Sequence, residues 1–171
     1  VSSSTFWQMA SPMMPEAGLD VARTSAGSSR SVLPRFVFPI RVYYEDTDAG
    51  GIVYHANYLK FAERARTEML RAAGIDQSDM RDRQGLGFVV RRCTVEYLAP
   101  ARLDDALEVR CDLRAVRGAA IELTQEVGKA GDAGPLPTLD LVVALVDAEG
   151  RPRRLPPEIR DRLAGTAGTS T

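Results

Sequence analysis

The sequence predicts an α+β domain with one long helix and five strands. Three observations carry that expectation. Residues 35–46, Arg-Phe-Val-Phe-Pro-Ile-Arg-Val-Tyr-Tyr-Glu-Asp, are rich in β-branched and aromatic types and read as a strand. Tyr54, Tyr58, Phe61, Ala62, Ala65, Met69 and Leu70 then recur at three- and four-residue spacing, lining one apolar face of a helix over 53–73. Four further strand segments follow, at 86–98, 106–117, 119–130 and 138–148. One helix cannot cover both faces of a five-stranded sheet. The sheet must therefore curl around the helix, and its remaining edge or face invites a second copy.

Each element has its own signal. Pro39 cannot donate to a ladder, so the first strand lies at an edge or carries a bulge. Residues 46–51, Asp-Thr-Asp-Ala-Gly-Gly, are turn chemistry. Lys60, Arg64, Glu68 and Arg71 take the polar faces of the helix, and Gly74 is a stop. Residues 76–85 read as a polar loop. Arg117-Gly118 marks a tight hairpin. Ile121, Leu123 and Val127 alternate with Glu122, Thr124 and Glu126. The segment 139–146 is almost continuously apolar, which suits an interior strand.

Eight of the ten serines fall within residues 1–31, and no sustained period runs through that stretch. Residues 1–34, with the only tryptophan at Trp7, are expected to form a flexible Ser-rich extension. The folded domain is expected over 35–160, with a loose tail over 161–171.

Bulk properties narrow the function. The chain has 171 residues, which fits one domain, and its apolar fraction of 44% allows a sizeable core. A net charge of −1 argues against a nucleic-acid protein with a general basic surface. One histidine and two cysteines, Cys93 and Cys111, supply neither zinc-site nor redox-pair spacing, so no metal is expected. A reducing compartment is the expected home of these cysteines. No apolar run approaches the roughly 18 residues that span a membrane, and no signal peptide is evident. The expected location is the cytoplasm, at most peripheral to the inner membrane.

The densest chemistry lies between Tyr43 and Thr67. It gathers Tyr44, Asp46, Asp48, His55 and Glu63 across a strand, an acidic glycine turn and a helix start. A turn that delivers a carboxylate beside a helix N-terminus can supply a base or nucleophile together with a site for an oxyanion. That pairing suits acyl transfer. Asp48 is equally well placed to be a turn or capping residue. Asp46 shares its turn chemistry.

The run Tyr44-x3-Asp48-Ala-Gly-Gly-Ile-Val-Tyr-His55-x2-Tyr58-x4-Glu63-x-Ala-Arg66 resembles the hotdog-fold acyl-CoA thioesterases. It is closest to the 4-hydroxybenzoyl-CoA thioesterase-like branch associated with the Tol–Pal system. The later run 97–105, Tyr-Leu-Ala-Pro-Ala-Arg-Leu-Asp-Asp, is similar to that branch as well, and the resemblance covers roughly residues 36–158. It implies an antiparallel sheet wrapped around a central helix, assembled as a dimer or tetramer with active sites at the subunit interface. It also implies hydrolysis of acyl-CoA without a cofactor beyond the coenzyme A of the substrate.

The resemblance favours Asp48 over Asp46 as nucleophile or general base. It places the oxyanion site on backbone amides around His55, with Gly50 and Gly51 before it. His55 is expected to polarise the carbonyl, position the substrate or tune Asp48. Tyr44 would orient the carboxylate or line the acyl pocket. Glu63 and Tyr58 would bind substrate or support the site, and Asn57 would pack and hydrogen-bond. Arg151, Arg153 and Arg154, with Arg91 and Arg92, are candidates for the coenzyme A phosphates. Acyl carrier protein or envelope proteins are candidate partners. A non-catalytic acyl-thioester-binding or scaffold module is the competing reading; hydration or dehydration of an acyl thioester is a weaker third.

Overall fold

The computed structural model describes residues 36–132 and 134–165. The expected extension over 1–34 and the last six residues of the expected tail lie outside the described residues. Five strands are present: β1 (Phe36–Arg41), β2 (Leu86–Tyr97), β3 (Ala106–Arg117), β4 (Ala120–Lys129) and β5 (Pro135–Asp147). They form one antiparallel sheet in the order β1-β3-β4-β5-β2. The long helix α1 (Asn57–Ala72) packs on β1, β3 and β4. Two short helices, α2 (Gln77–Gln84) and α3 (Pro157–Gly165), complete the described chain.

Alternation explains the layers. On β4, Ile121, Leu123 and Val127 are buried toward the helix. They pair with the inward rows of β3 (Leu113↔Leu123, Val109↔Val127) and β5 (Ile121↔Val143, Leu123↔Leu141). From α1, Phe61, Ala62 and Ala65 are fully buried against these rows. The apolar segment at 139–146 lies in β5, which has neighbours on both sides. Cys93 on β2 and Cys111 on β3 are not joined in a disulfide, and β4 and β5 lie between their strands.

Two polar anchors cross the helix–sheet interface. Gln125, fully buried on β4, donates through Nε2 to the Ala62 carbonyl at 2.9 Å and to Cys111 Sγ at 3.0 Å. Its Oε1 accepts from Arg66 Nη1 at 2.7 Å. Arg66, itself buried, is also ion-paired with Glu63 one turn earlier.

The structure corrects four boundaries. The first strand ends at Arg41, and the chain passes through a 3-10 turn (Tyr44–Asp46) where strand was expected. The long helix starts at Asn57 instead of residue 53, because Tyr54 N–H bonds the Asp46 carbonyl at 2.9 Å and holds that stretch out of the helix. The polar loop expected over 76–85 is mostly α2. Its N-cap Asp76 accepts from the Ser78 and Asp79 amides at 2.8 and 3.0 Å, and the Asp79 and Ser78 N–H groups hold that carboxyl below its usual range. Order continues through α3 to Gly165, where Ile159 and Leu163 are buried, past the tail boundary drawn at 160. Among the described residues, no helix is long and apolar enough to cross a membrane.

Candidate active site

Asp46 and Asp48 stand two residues apart and take different tasks. Asp46 is buried, and its carboxylate accepts the Tyr43 N–H at 2.9 Å. Its carbonyl accepts from Tyr54 N–H and from Asn57 Nδ2 at 3.0 Å. Asp46 thus ties the turn to the first residue of α1. Asp48 is exposed, and its Oδ1 accepts the Gly50 N–H at 2.8 Å. This aspartate is the one left accessible for chemistry.

The glycines shape this turn. A Cβ at Gly50 would sit 3.0 Å from Asp48 Oδ1, and Gly51 has φ +71°, in the left-handed region. Gly51 N–H bonds the Asp48 carbonyl at 2.9 Å. Both glycine amides are therefore engaged by Asp48 itself, so the expectation that they present oxyanion donors is corrected. Among the described residues, the amides of His55 and Ala56, at the start of α1, carry no hydrogen bond. They are free donors at that helix end.

The run 97–105 clamps the turn from outside. Val53 N–H bonds the Ala101 carbonyl at 2.9 Å, and Ala101 N–H donates to Tyr58 Oη at 2.9 Å. Arg102 Nη1 reaches the Gly51 carbonyl at 3.4 Å. Asp105 anchors the clamp by accepting from Arg102 N–H and from Lys129 Nζ. Partial burial works against ionising Asp105, yet the Arg102 N–H and the Lys129 ammonium together hold its carboxyl below the usual range. A cleft of about 310 Å³ lies between clamp and helix start, lined by Ile52, Val53, His55, Tyr58, Tyr97, Leu98, Ala99 and Pro100. His55 is exposed, with its ring 4.4 Å from that of Tyr54 and edge-on to Tyr97 at 6.1 Å. Burial pushes the Tyr58 phenol up, which keeps it neutral.

The other expected residues lie apart. Tyr44 is 82% exposed, and among the described residues its phenol makes no bond to Asp48. Glu63 lines a separate, narrow cleft of about 40 Å³ with Arg66, Gln77, Phe88 and Val90. Arg151, Arg153 and Arg154 follow β5 at the Leu86 end of the β2–β5 ladder, whereas the cleft is at the Tyr97 end. Eleven residues of strand separate the two ends, about 35 Å. Arg153 is also within 3.9 Å of Asp147. Arg91 and Arg92 are exposed midway along β2. One protomer therefore does not bring these arginines to Asp48. Among the described residues, no group of three or more His, Cys, Asp or Glu side chains could hold a metal ion.

A glycine-shaped aspartate turn, an open helix start and an aromatic cleft, carried on a sheet wrapped over one helix, define a thioester hydrolase of the hotdog class. The profile of the thioesterase-like superfamily matches residues 42–163, and the chain belongs to that family. It is 48% identical over 124 residues to an acyl-CoA thioester hydrolase YbgC from Escherichia coli, covering 72% of this chain and 92% of that protein. A probable thioesterase from Bartonella henselae superposes with TM-score 0.67 at 37% identity, covering 71% of this chain and 99% of that one. A 4-hydroxybenzoyl-CoA thioesterase bound to 4-hydroxybenzoyl-CoA shares the fold, with TM-score 0.71 at 18% identity, covering 75% and 98%.

Proposed function

We propose that the thioester this enzyme hydrolyses is acyl-CoA, yielding the free acid and coenzyme A, with Asp48 as nucleophile or general base. One observation carries the reading: the accessible Asp48 carboxylate sits on a turn that runs directly into the free His55 and Ala56 amides. A thiolate is a good leaving group, since thiols ionise near pH ~8.5. Attack by Asp48 on the carbonyl carbon would expel the coenzyme A thiolate and leave a mixed anhydride for water to open. Alternatively, Asp48 takes a proton from a water that attacks the same carbon. In either route the carbonyl oxygen gains negative charge, which the free amides and the helix dipole favour. His55 and Tyr58 border the cleft that would take the acyl group.

The same reading includes a homo-oligomer. Asp48 does not line the cleft of its own protomer. β2 is a twelve-residue edge strand whose Val89 and Val90 are each 45% exposed. α1 packs on β1, β3 and β4, whereas β2 carries the short α2 and keeps most of its residues exposed. A second copy against β2 would cover that strand and could bring its own cleft, and arginines from another protomer, toward Asp48.

The test is thiol release from short, long and aromatic acyl-CoAs and from an acyl-carrier-protein thioester, with Asp48→Asn measured beside wild type. We expect Asp48→Asn to lose at least ~100-fold in kcat, as when a general base or nucleophile is removed. Near-normal turnover by folded Asp48→Asn would remove the role of Asp48. No release by wild type from any of these substrates would remove the reading itself.

A further inference from the structure

Tyr97, the last residue of β2, reaches 42 positions back along the chain, where its hydroxyl donates to the His55 carbonyl at 3.1 Å. Its ring stands edge-on to His55 and lies 6.1 Å from Tyr58, tilted by 55°. The carbonyl it holds belongs to the peptide unit whose N–H is that of Ala56, a free amide at the start of α1. Tyr97 is 47% exposed. Water could satisfy this hydroxyl, so burial alone does not demand the bond.

We propose that Tyr97 is a positioning residue for hydrolysis: by holding the His55 carbonyl, its hydroxyl fixes the plane of the His55–Ala56 peptide and so aims the Ala56 N–H at the developing oxyanion. The proposal rests on the reading of the site given above. Two effects follow from one bond. The peptide loses its freedom to rotate away from the substrate, and a donor on the carbonyl polarises the same unit, making its N–H a stronger donor. Both effects act on the charged transition state more than on the neutral thioester, so they belong in kcat. Burial raises the Tyr97 phenol, which keeps its proton available. Losing a single orienting bond is expected to cost about tenfold, less than the ~100-fold or more that follows outright removal of an oxyanion donor.

Tyr97 also forms part of the cleft wall, so the test must separate wall from bond. Tyr97→Phe keeps the ring and removes only the hydroxyl; Tyr97→Leu removes both. We expect Tyr97→Phe to lower kcat about tenfold with KM unchanged, and the Ala56 amide proton to move upfield in its NMR spectrum. Tyr97→Leu should add a rise in KM. Tyr97→Phe with wild-type kcat and an unmoved Ala56 resonance, beside an inactive Asp48→Asn, overturns the proposal alone. An Asp48→Asn protein as active as wild type overturns the reading of the site, and the proposal with it.

Discussion

Single residues decide how far this site could be read from the sequence. Motif spacing favoured Asp48 over Asp46, and the structure supplies the physical difference: one carboxylate is spent on the Tyr43 amide in the interior, while the other stays exposed. Tyr97 opens a run that entered the resemblance, but its role was not legible because its partner lies 42 residues away. Long-range hydrogen bonds leave no period in a sequence. Gly51 offers a clean test at this scale. Nothing lies within 4 Å of the position an alanine Cβ would take, so the penalty is backbone strain alone. Gly51→Ala should cost about 1–2 kcal/mol of stability, read from the urea midpoint, and lower kcat by disturbing Asp48. An alanine protein that unfolds with wild type would show that the turn relaxes without strain.

At the scale of elements, periodicity served where burial is one-sided and failed where it is not. α1 and β4 were legible because apolar residues repeat along the face they bury. α2 was not, because Met80 is its single buried residue and the rest is polar. Its usable signal was capping, with Asp76 at one end and Gly85 at the other, and those types read equally well as loop. Gln125 was hidden for the opposite reason: a polar residue on the inward face of a strand departs from the alternation around it. It joins α1 to the sheet through the Ala62 carbonyl and balances the buried Arg66. Gln125→Leu would strip that acceptor from a buried guanidinium and leave it Glu63 alone, and about 2 kcal/mol should be lost. Adding Arg66→Met removes the guanidinium group that has lost its acceptor and should recover part of the loss in denaturant titrations. Strict additivity of the two changes would show that Arg66 and Gln125 are not energetically coupled.

For the whole molecule, the sequence predicts that an edge or face of the sheet left by the single long helix invites a second copy, and the pairing proposed above uses the β2 edge. Exposed Val89 and Val90 give the proposed contact an apolar centre. Val90→Lys would place a charge there; on the proposed pairing, sedimentation should report dimers for wild type and monomers for the lysine protein, with activity falling in parallel. Unchanged sedimentation of the lysine protein would move the contact away from β2.

The two rims of the sheet are unequal. β1 is six residues long and is interrupted by Pro39, which has no N–H to offer a neighbour; β2 is twice that length and has no proline. A sheet with two receptive rims can extend indefinitely, chain upon chain. On the proposed pairing, joining two copies at β2 leaves a β1 rim at either end, and neither readily accepts another strand. Polymerisation through the sheet would stop at two, so the proline that weakens one strand would also protect the assembly against fibre growth.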